Sequence, residues 1–280
     1  CNAMSLLILS LLALQSVSAA SPAQPTAEIA AAIRDEQDID QIRAAIVSGR
    51  LDDAAALIGI FDAAHPGSQP ASLVLAKGEL ALEEGSAAKA DELTRAVPAS
   101  GPARCSVERI RALAMAERGQ TDAAIDSLAG VTEHCTADWR IWRALGTQLA
   151  QKGQMEASRF AFTQAMQGSP SPALIRNDQA RALIRAGDID AAAQVLRVAD
   201  GAPAPDRETI RLQDFLAGMR GLEPARAAAD SDEMWAQRLV DAAQGARRAD
   251  HPSLAQALMS EALLVSPRYD PRLLAEAQIP

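Results

Sequence analysis

The sequence predicts an all-α protein built from a repeated helical hairpin. The chain of 280 residues is 49% hydrophobic, which is ample for a core, and only 3% aromatic. Alanine and leucine are abundant and β-branched runs are few, a composition typical of helices. Glycines recur at intervals of 36, 34, 34, 34 and 34 residues: Gly49, Gly85, Gly119, Gly153, Gly187 and Gly221. Together these observations predict one structural unit repeated along the chain.

Each repeat is predicted to contain two helices joined near the glycine. Five residues after each of the first five glycines stands a small residue, which suits the close approach of two helices: Ala54, Ala90, Ala124, Ser158 and Ala192. Seventeen residues after three of the glycines stands a proline: Pro66, Pro102 and Pro170. A proline cannot continue the helical hydrogen-bond ladder, so each of these is predicted to end a second helix.

The fourth unit resembles the tetratricopeptide repeat family. Its residues match the family signature nearly position for position: Trp142, Leu145, Gly146, Leu149, Gly153, Ser158, Phe162, Ala165 and Pro170. The sixth unit, around Gly221, is degraded, and its second helix is predicted to be short. A last unit regains the same mutual spacings: Ala255, Met259, Ala262 and Pro267. The resemblance implies an all-α, right-handed superhelical solenoid of six to seven hairpins over residues 35–269.

The repeat phase also predicts which residues of the fourth unit are buried. Trp142 and Phe162 are expected in the core, and an aromatic shelf for a ligand is the alternative. Gly146 is expected where a neighbouring helix leaves no room for a side chain. Gly153 is expected to turn the chain into the second helix.

The resemblance further implies a concave groove lined by first-helix residues ten, six and two positions before each glycine. Those positions, with Arg140 one turn nearer the helix start, place arginines along one row of successive helices. The predicted partner-binding residues are Arg109, Arg140, Arg143, Asn177, Arg181, Arg185, Arg211 and Phe215, with Leu113 and Thr147 in the same phase. The asparagine amide can also bond the backbone of an extended peptide.

Two interpretations of this row remain open. Guanidinium groups bind carboxylates and phosphates through paired hydrogen bonds, which would suit an acidic peptide, a C-terminal carboxylate or an anionic glycan. In the alternative, the row is a solvated face whose arginines pair with Glu108, Glu117 or Asp178. The carboxylate-clamp pattern of chaperone-binding relatives is not reproduced in this sequence, so the ligand class stays open.

Cys105 and Cys135 open and close the third hairpin, whose antiparallel helices would bring them together. In an oxidising compartment they are predicted to form a disulfide that closes a loop of about 30 residues. Two free, partly buried thiols are the alternative. No CxxC pair occurs, so the spacing predicts neither a zinc site nor any other metal site or cofactor. His134 beside Cys135 resembles a ligand pair, but no further ligand joins it in the sequence.

Residues 1–20 are predicted to be a secretory signal peptide, with residues 1–3 resembling a cloning remnant. The apolar run of residues 4–20 is shorter than the about 20 residues that span a membrane, and Val17 and Ala19 have the spacing of a cleavage site. An uncleaved anchor and a core helix are the alternatives. Residues 21–34 are assigned to a linker and the start of the first helix, and residues 270–280 to a tail. Cleavage implies export, to a bacterial periplasm, without stable membrane insertion.

Charge and motifs narrow the function. A net charge of -9 argues against general affinity for nucleic acid, whose phosphates would be repelled. The sequence contains no HExxH, GxSxG or phosphate-binding glycine loop. The sequence therefore predicts a non-enzymatic scaffold that binds a peptide or protein partner, in envelope, secretion or pilus assembly. A binding protein for an anionic glycan or peptidoglycan fragment is the alternative, and an enzyme with an atypical site is a third. The oligomeric state is not predicted.

Overall fold

The computed structural model describes residues 27–197 and 204–266, with side chains described from residue 34 onward. All regular secondary structure in these ranges is helical. The α-helices are α1 (Ala27–Val47), α2 (Leu51–Ala64), α3 (Ala71–Glu83), α4 (Ala87–Arg95), α5 (Arg104–Glu117), α6 (Thr121–Thr132), α7 (Trp139–Gln151), α8 (Met155–Gly168), α9 (Pro172–Ala186), α10 (Ile189–Val195), α11 (Arg207–Met219), α12 (Asp232–Arg248) and α13 (Pro252–Val265).

Several sequence predictions lie outside the described residues. These are the signal peptide of residues 1–20, the proline-bearing part of the linker, Pro267 and the tail of residues 270–280. Within the described ranges, no helix combines the length and the apolar character that a membrane crossing requires.

Neighbouring helices pack in pairs and form a solenoid of helical hairpins, which confirms the predicted fold class. In the described ranges six pairs are complete: α1 with α2, α3 with α4, α5 with α6, α7 with α8, α9 with α10, and α12 with α13. Helix α11 is a first helix without a second helix after it. The buried apolar residues form a series of clusters along the solenoid, because each hairpin covers its apolar face with its neighbours.

The same left-handed backbone conformation occurs at every hairpin turn. All six repeat glycines have φ between 71 and 81°, the left-handed conformation that ends many helices. At Gly153, for example, φ is 76° and the next residue, Gln154, donates its N–H to the carbonyl of Leu149 at 2.9 Å. Asp250 takes this place in the last hairpin with a φ of 60°, and His251 donates to Ala246 at 2.8 Å. The seventh turn was not recognised in the sequence because it has no glycine.

The small residues five positions after the turns are buried, as predicted. Their exposed fractions are 0 to 2%: Ala54, Ala90, Ala124, Ser158, Ala192 and, in the last hairpin, Ala255. In the fourth unit the hydroxyl of Ser158 donates to the carbonyl of Gly146 at 2.7 Å. A Cβ atom on Gly146 would lie 3.0 Å from the ring of Phe162. The predicted lack of room at Gly146 is therefore confirmed.

The two predicted core aromatics differ. Phe162 is fully buried, as expected. Trp142 is only half-buried: its indole N–H donates to the carbonyl of Thr136 at 3.1 Å, and its ring meets the exposed ring of Phe160 edge-on. The prediction of a core position is thus wrong for part of the Trp142 side chain, because its polar edge reaches the loop before α7.

One predicted helix stop also needs correction. Helices α2 and α8 end two residues before Pro66 and Pro170, as expected. Helix α4, however, ends at Arg95, before Pro98, and Pro102 lies in a 3-10 turn at Gly101–Ala103 that leads into α5. Proline is favoured in such a first turn because its N–H would be unpaired there in any case.

The sixth unit has lost its second helix, which was predicted to be merely short. Residues 222–231 are irregular. At the positions five and nine residues after the turn, where other repeats bury small and apolar side chains, this unit has Arg226 and Asp230. A helix here would have to bury these two charges on its packing face, which is unfavourable. This stretch of the chain is therefore irregular.

Loss of that helix brings α11 and α12 into direct contact. A Cβ atom on Gly218 would lie 1.8 Å from the carbonyl oxygen of Ala242, and one on Gly245 would lie 1.9 Å from that of Phe215. Glycine is therefore required at both positions. Beside this contact, the Arg238 guanidinium donates to both carboxylate oxygens of Asp214, at 2.8 and 2.9 Å. Desolvation would otherwise disfavour that buried carboxylate.

The first helices line the inner side of the solenoid. Each of α1, α3, α5, α7 and α9 contacts the next first helix along the chain, whereas the described second helices do not contact one another comparably. Helices that lie closer together mark the concave side of a curved array. The predicted groove residues belong to these inner helices.

Candidate partner-binding site

A cavity of about 200 Å³ opens between α9, α11 and α12 on the inner side. Its wall contains four residues of the predicted groove together with apolar and polar neighbours: Arg181, Arg185, Arg211 and Phe215, with Ile184, Leu212, Asp241 and Gln244. The structure therefore brings half of the predicted binding residues to one place, near the C-terminal end of the described chain.

The three arginines of the cavity differ in how far their charge is already neutralised. Arg181 donates to Asp178 at 2.8 Å and to Glu208 at 2.6 Å. Arg211 is exposed, and its guanidinium lies 3.6 Å from Glu208. Arg185 is exposed and has no ion-pair partner in the part of the chain that the structure describes. Two guanidinium groups are thus available to an anionic ligand.

Asp241 lies in the wall of the cavity with only 6% of its surface exposed. Burial raises the pKa of this carboxyl to about 6, even though the charge of Arg211 and a hydrogen bond from Gln237 lower it. The negative charges of Asp214 and Glu208 raise it further. The site therefore contains a carboxyl group that changes charge close to neutral pH, a property found often at functional sites.

The apolar part of the wall is formed by Ile184, Leu212 and Phe215. An apolar surface beside two available guanidinium groups can take a ligand with an anionic group next to an apolar one. Charge-assisted hydrogen bonds would orient the anion, and burial of the apolar group would add affinity.

The prediction is wrong for two of the groove residues, because they lie inside the protein. Arg109 is 7% exposed and forms an ion pair with Glu79 on the preceding first helix. Asn177 is 2% exposed, accepts a hydrogen bond from Thr209 at 2.9 Å and donates to Asp206 at 3.4 Å. Each of these two side chains binds a polar group of a neighbouring first helix, so a partner cannot reach it. Arg211 also stands ten positions before its turn but is exposed.

Arg143 and Arg140 do not line the cavity either. Arg143 is bound to Asp178 on the next first helix, and Arg140 lies 5.0 Å above the ring of Trp139. The alternative interpretation, in which row arginines pair with acids, is confirmed for Asp178, which binds both Arg143 and Arg181. Glu108 instead binds Arg104 and His134, outside the row, and Glu117 forms no ion pair with a row arginine among the described residues.

Four cavity residues were missed in the sequence. The signal for two of them, Gln244 and Asp241, becomes visible once Asp250 is treated as a turn residue: Gln244 then stands six positions before the turn, the phase that also gives Phe215. Asp241 and Leu212 both stand nine positions before their turns. Without a glycine, the turn at residue 250 was not assigned, although the spacing of Ala255 places it there.

The two cysteines of the third hairpin lie where the sequence predicts. Their Cα atoms are 6.0 Å apart and their sulfur atoms are joined, within the range that a disulfide requires. The bridge closes the ends of α5 and α6 at a distance from the cavity. That the exported protein carries this disulfide stays a prediction, since oxidation depends on the compartment.

No family model matches the sequence, and neither does any curated protein. Three similar solved structures are helical-repeat chains of low identity. A chain of the APC/C hetero-tetramer Cut9-Hcn1 is 15% identical with a TM-score of 0.47, and the match covers 84% of this chain and 41% of that one. A tetratricopeptide repeat protein from Parabacteroides merdae is 13% identical with a TM-score of 0.45, covering 87% and 97%. MamA of AMB-1 is 19% identical with a TM-score of 0.34, covering 61% and 95%.

The fold of this chain follows from its own geometry. It consists of two-helix units of about 34 residues, with a left-handed residue at each turn and a buried small residue five positions later. The chain is a helical-repeat solenoid of the tetratricopeptide type.

Proposed function

We propose that the protein is a non-enzymatic scaffold that binds a carboxylate-bearing segment of a protein partner in the cavity between α9, α11 and α12. The observation that carries this proposal is the pair Arg185 and Arg211, exposed and weakly neutralised beside the apolar side chains of Leu212 and Phe215. The preferred ligand is a peptide whose carboxylate, at its C-terminus or on an acidic side chain, adjoins an apolar side chain.

The size of the cavity supports an anchor for a peptide over a complete small-molecule site. Its volume of about 200 Å³ is smaller than the about 300–1,000 Å³ of typical ligand pockets. It can hold one side chain, while the remainder of the segment would extend along the inner helices. Solenoids of helical hairpins commonly use their concave surfaces in this way.

The chemistry of the wall supports binding. The eight lining residues are three arginines, three apolar residues, one aspartate and one glutamine. A nucleophile would need an adjacent base, and this set offers one carboxyl without a serine, cysteine, histidine or lysine beside it. Fold alone does not decide function, so the proposal depends on this composition.

An exported location, in assembly of envelope, secretion or pilus machinery, is a further part of the proposal. It is supported by the predicted signal peptide of residues 1–20 and by the closeness of Cys105 and Cys135. The intact mass of protein recovered from a periplasmic extract tests it. Cleavage after Ala19 or Ala20 is expected, and a chain that keeps this segment and stays in the cytoplasm would contradict export.

Fluorescence anisotropy with labelled peptides tests the binding site. The probes are one acidic peptide ending in leucine with a free carboxylate, the same peptide amidated, and an oligogalacturonate as an anionic glycan. We expect the free peptide to bind best, and Arg185→Ala or Arg211→Ala to weaken it about tenfold, since each removes a charge-assisted hydrogen bond.

The matched control is Arg50→Ala, at an exposed arginine in the turn before α2. It should leave the affinity for the peptide unchanged. Equal affinity of all three variants and the unaltered protein would exclude the cavity as the binding site. Binding of oligogalacturonate without peptide binding, lost in Arg185→Ala, would assign the site to a glycan instead.

A further inference from the structure

Three side chains of metal-binding type meet at the open end of the third hairpin, and a fourth is bonded to one of them. The His134 ring lies 2.7 Å from a carboxylate oxygen of Glu108. A ligand atom of Cys135 lies within 4.8 Å of both. The fourth is Cys105, which the disulfide joins to Cys135. The two ends of the hairpin, the start of α5 and the segment after α6, bring these residues together.

We propose that this cluster is a redox-controlled zinc site, in which Cys105, Cys135, His134 and Glu108 bind one Zn²⁺ ion after reduction of the disulfide. Two thiolates, one imidazole and one carboxylate form a four-ligand set of the type that zinc prefers. While the disulfide is intact neither sulfur is a thiolate, so the oxidised chain lacks half of the ligands. The proposal is independent of the peptide site.

The distances are close to those a zinc ion requires. In a tetrahedral site with bonds of about 2.0–2.3 Å, ligand atoms stand about 3.3–3.8 Å apart. The present ligand atoms of Glu108, His134 and Cys135 lie within 4.8 Å of one another. Rotation of these side chains, and of Cys105 once its bond to Cys135 is broken, would bring the four ligand atoms to one ion. The Cα separation of 6.0 Å between the cysteines leaves room for both sulfurs to face one ion.

The surroundings supply access and charge balance. Glu108 and His134 also line a shallow open cavity with Arg111 and Met115, through which an ion can enter. A Zn²⁺ ion with two thiolates and one carboxylate carries a net charge of -1. Arg104 donates to the other oxygen of Glu108 at 2.9 Å and would both balance this charge and orient the ligand.

The chemistry is a two-electron exchange followed by metal binding. A dithiol reductant attacks the disulfide, leaves as its own cyclic disulfide and leaves two thiols on the protein. Binding of Zn²⁺ then releases one proton from each thiol. The metal and the disulfide are alternative links between the same two residues, so the hairpin end is held closed in either redox state.

Cobalt titration of the full chain tests the site, because tetrahedral Co²⁺ bound to thiolates has characteristic visible absorption. Cys1 is replaced by serine in every sample so that only two thiols remain. We expect phosphine-reduced protein to bind one Co²⁺ per chain, which Zn²⁺ displaces, and the oxidised protein to bind none. A reduced protein without the thiolate absorption would overturn the proposal.

Variants of the two ligands that are not cysteines distinguish a four-ligand site from a metal ion bound by the two thiolates alone. His134→Ala and Glu108→Gln should each weaken Co²⁺ binding at least about tenfold, with helicity checked by circular dichroism. His65→Ala, a histidine paired with Asp35 in the first hairpin, is the matched control and should bind as the unaltered chain does. Equal affinity of all three variants would also overturn the four-ligand site.

Discussion

The inner arginines of the solenoid differ between its regular middle and its C-terminal end. In the middle, Arg109 is paired with Glu79 and Arg143 with Asp178, so each charge is neutralised by an acid on a neighbouring first helix. At the end, Arg185 and Arg211 lie at the cavity with weak or no pairing. Arg109, Arg143 and Arg211 all stand ten positions before their turns, so this one phase has two outcomes, and the acids on the neighbouring helix decide which one applies.

The packing of the helices differs between the same two regions. In α7 and α8 the helices meet through Gly146 and the ring of Phe162, with side chains filling the space. Between α11 and α12 the contact is between backbones, at Gly218 and Gly245. Helices α11 and α12 pack more closely because no second helix lies between their units. The cavity lies beside this contact.

The largest expected effect contrasts a paired with an unpaired arginine. Arg109→Ala should lower the free energy of unfolding by about 3–5 kcal/mol, because it leaves the buried carboxylate of Glu79 without its partner. Arg185→Ala, at an exposed residue, should change it by less than about 0.5 kcal/mol. Urea unfolding followed by circular dichroism measures both. Equal losses would mean that the two arginines do not differ as described.

The next effect tests the backbone contact. Gly218→Ala should cost about 3 kcal/mol, since its Cβ would lie 1.8 Å from a backbone oxygen and the two helices would have to separate. Gly59→Ala in α2 is the control, because nothing lies within 4 Å of the added atom. It should raise stability by about 0.5–1 kcal/mol through helix propensity. A neutral Gly218→Ala would show that α11 and α12 are not held this tightly.

A comparable effect is expected in the third hairpin. Replacing Cys105 and Cys135 together by alanine should lower the stability of oxidised protein by about 3 kcal/mol, as expected for a closed loop of this length. The double variant and the unaltered protein should differ less once both are reduced. Intact mass with and without reduction shows whether the bridge is present. Two free thiols in exported protein would exclude it.

The smallest effect depends on pH and concerns the cavity. The pKa of Asp241 is about 6 in the folded protein against an ordinary value of 3.8, so the unfolded chain releases this proton first as the pH rises. The contribution of this group to stability is present below about pH 4 and lost as the pH rises to about 6. Asp241→Asn should therefore be about 2–3 kcal/mol more stable than the unaltered protein at pH 7.

The difference between the two proteins isolates the carboxyl of Asp241 and its coupling to Asp214 and Glu208, because acids away from the cavity titrate alike in both. Unfolding midpoints measured between pH 4 and 7 should diverge as the pH rises. Parallel curves would show that Asp241 is not desolvated. Such a result would also remove the electrostatic distinction between the cavity and the rest of the inner face.

The sequence was sufficient for the fold because turns and packing positions follow local rules. A left-handed turn favours glycine, and a close helix contact requires a small side chain, so Gly153 and Ser158 were identifiable by spacing alone. The missing sixth helix was also visible in principle, since Asp230 stands where Phe162 stands in the fourth unit.

The site was less predictable because it depends on contacts between repeats. Whether Arg109 is free depends on Glu79, 30 residues earlier, and on the distance between two first helices. The role of Asp241 depends on the turn at Asp250, which lacks the expected glycine. Spacing gives the face of a helix on which a residue lies, but the partner on the adjacent helix is set by the three-dimensional arrangement.

The coil that replaces the sixth second helix has a practical consequence. Its first part is exposed around Glu223, while the contact of α11 with α12 is made by residues outside it. Exposed irregular segments are where chains tolerate added sequence. A domain inserted after Glu223 is therefore expected to leave both the contact of α11 with α12 and the wall of the cavity intact.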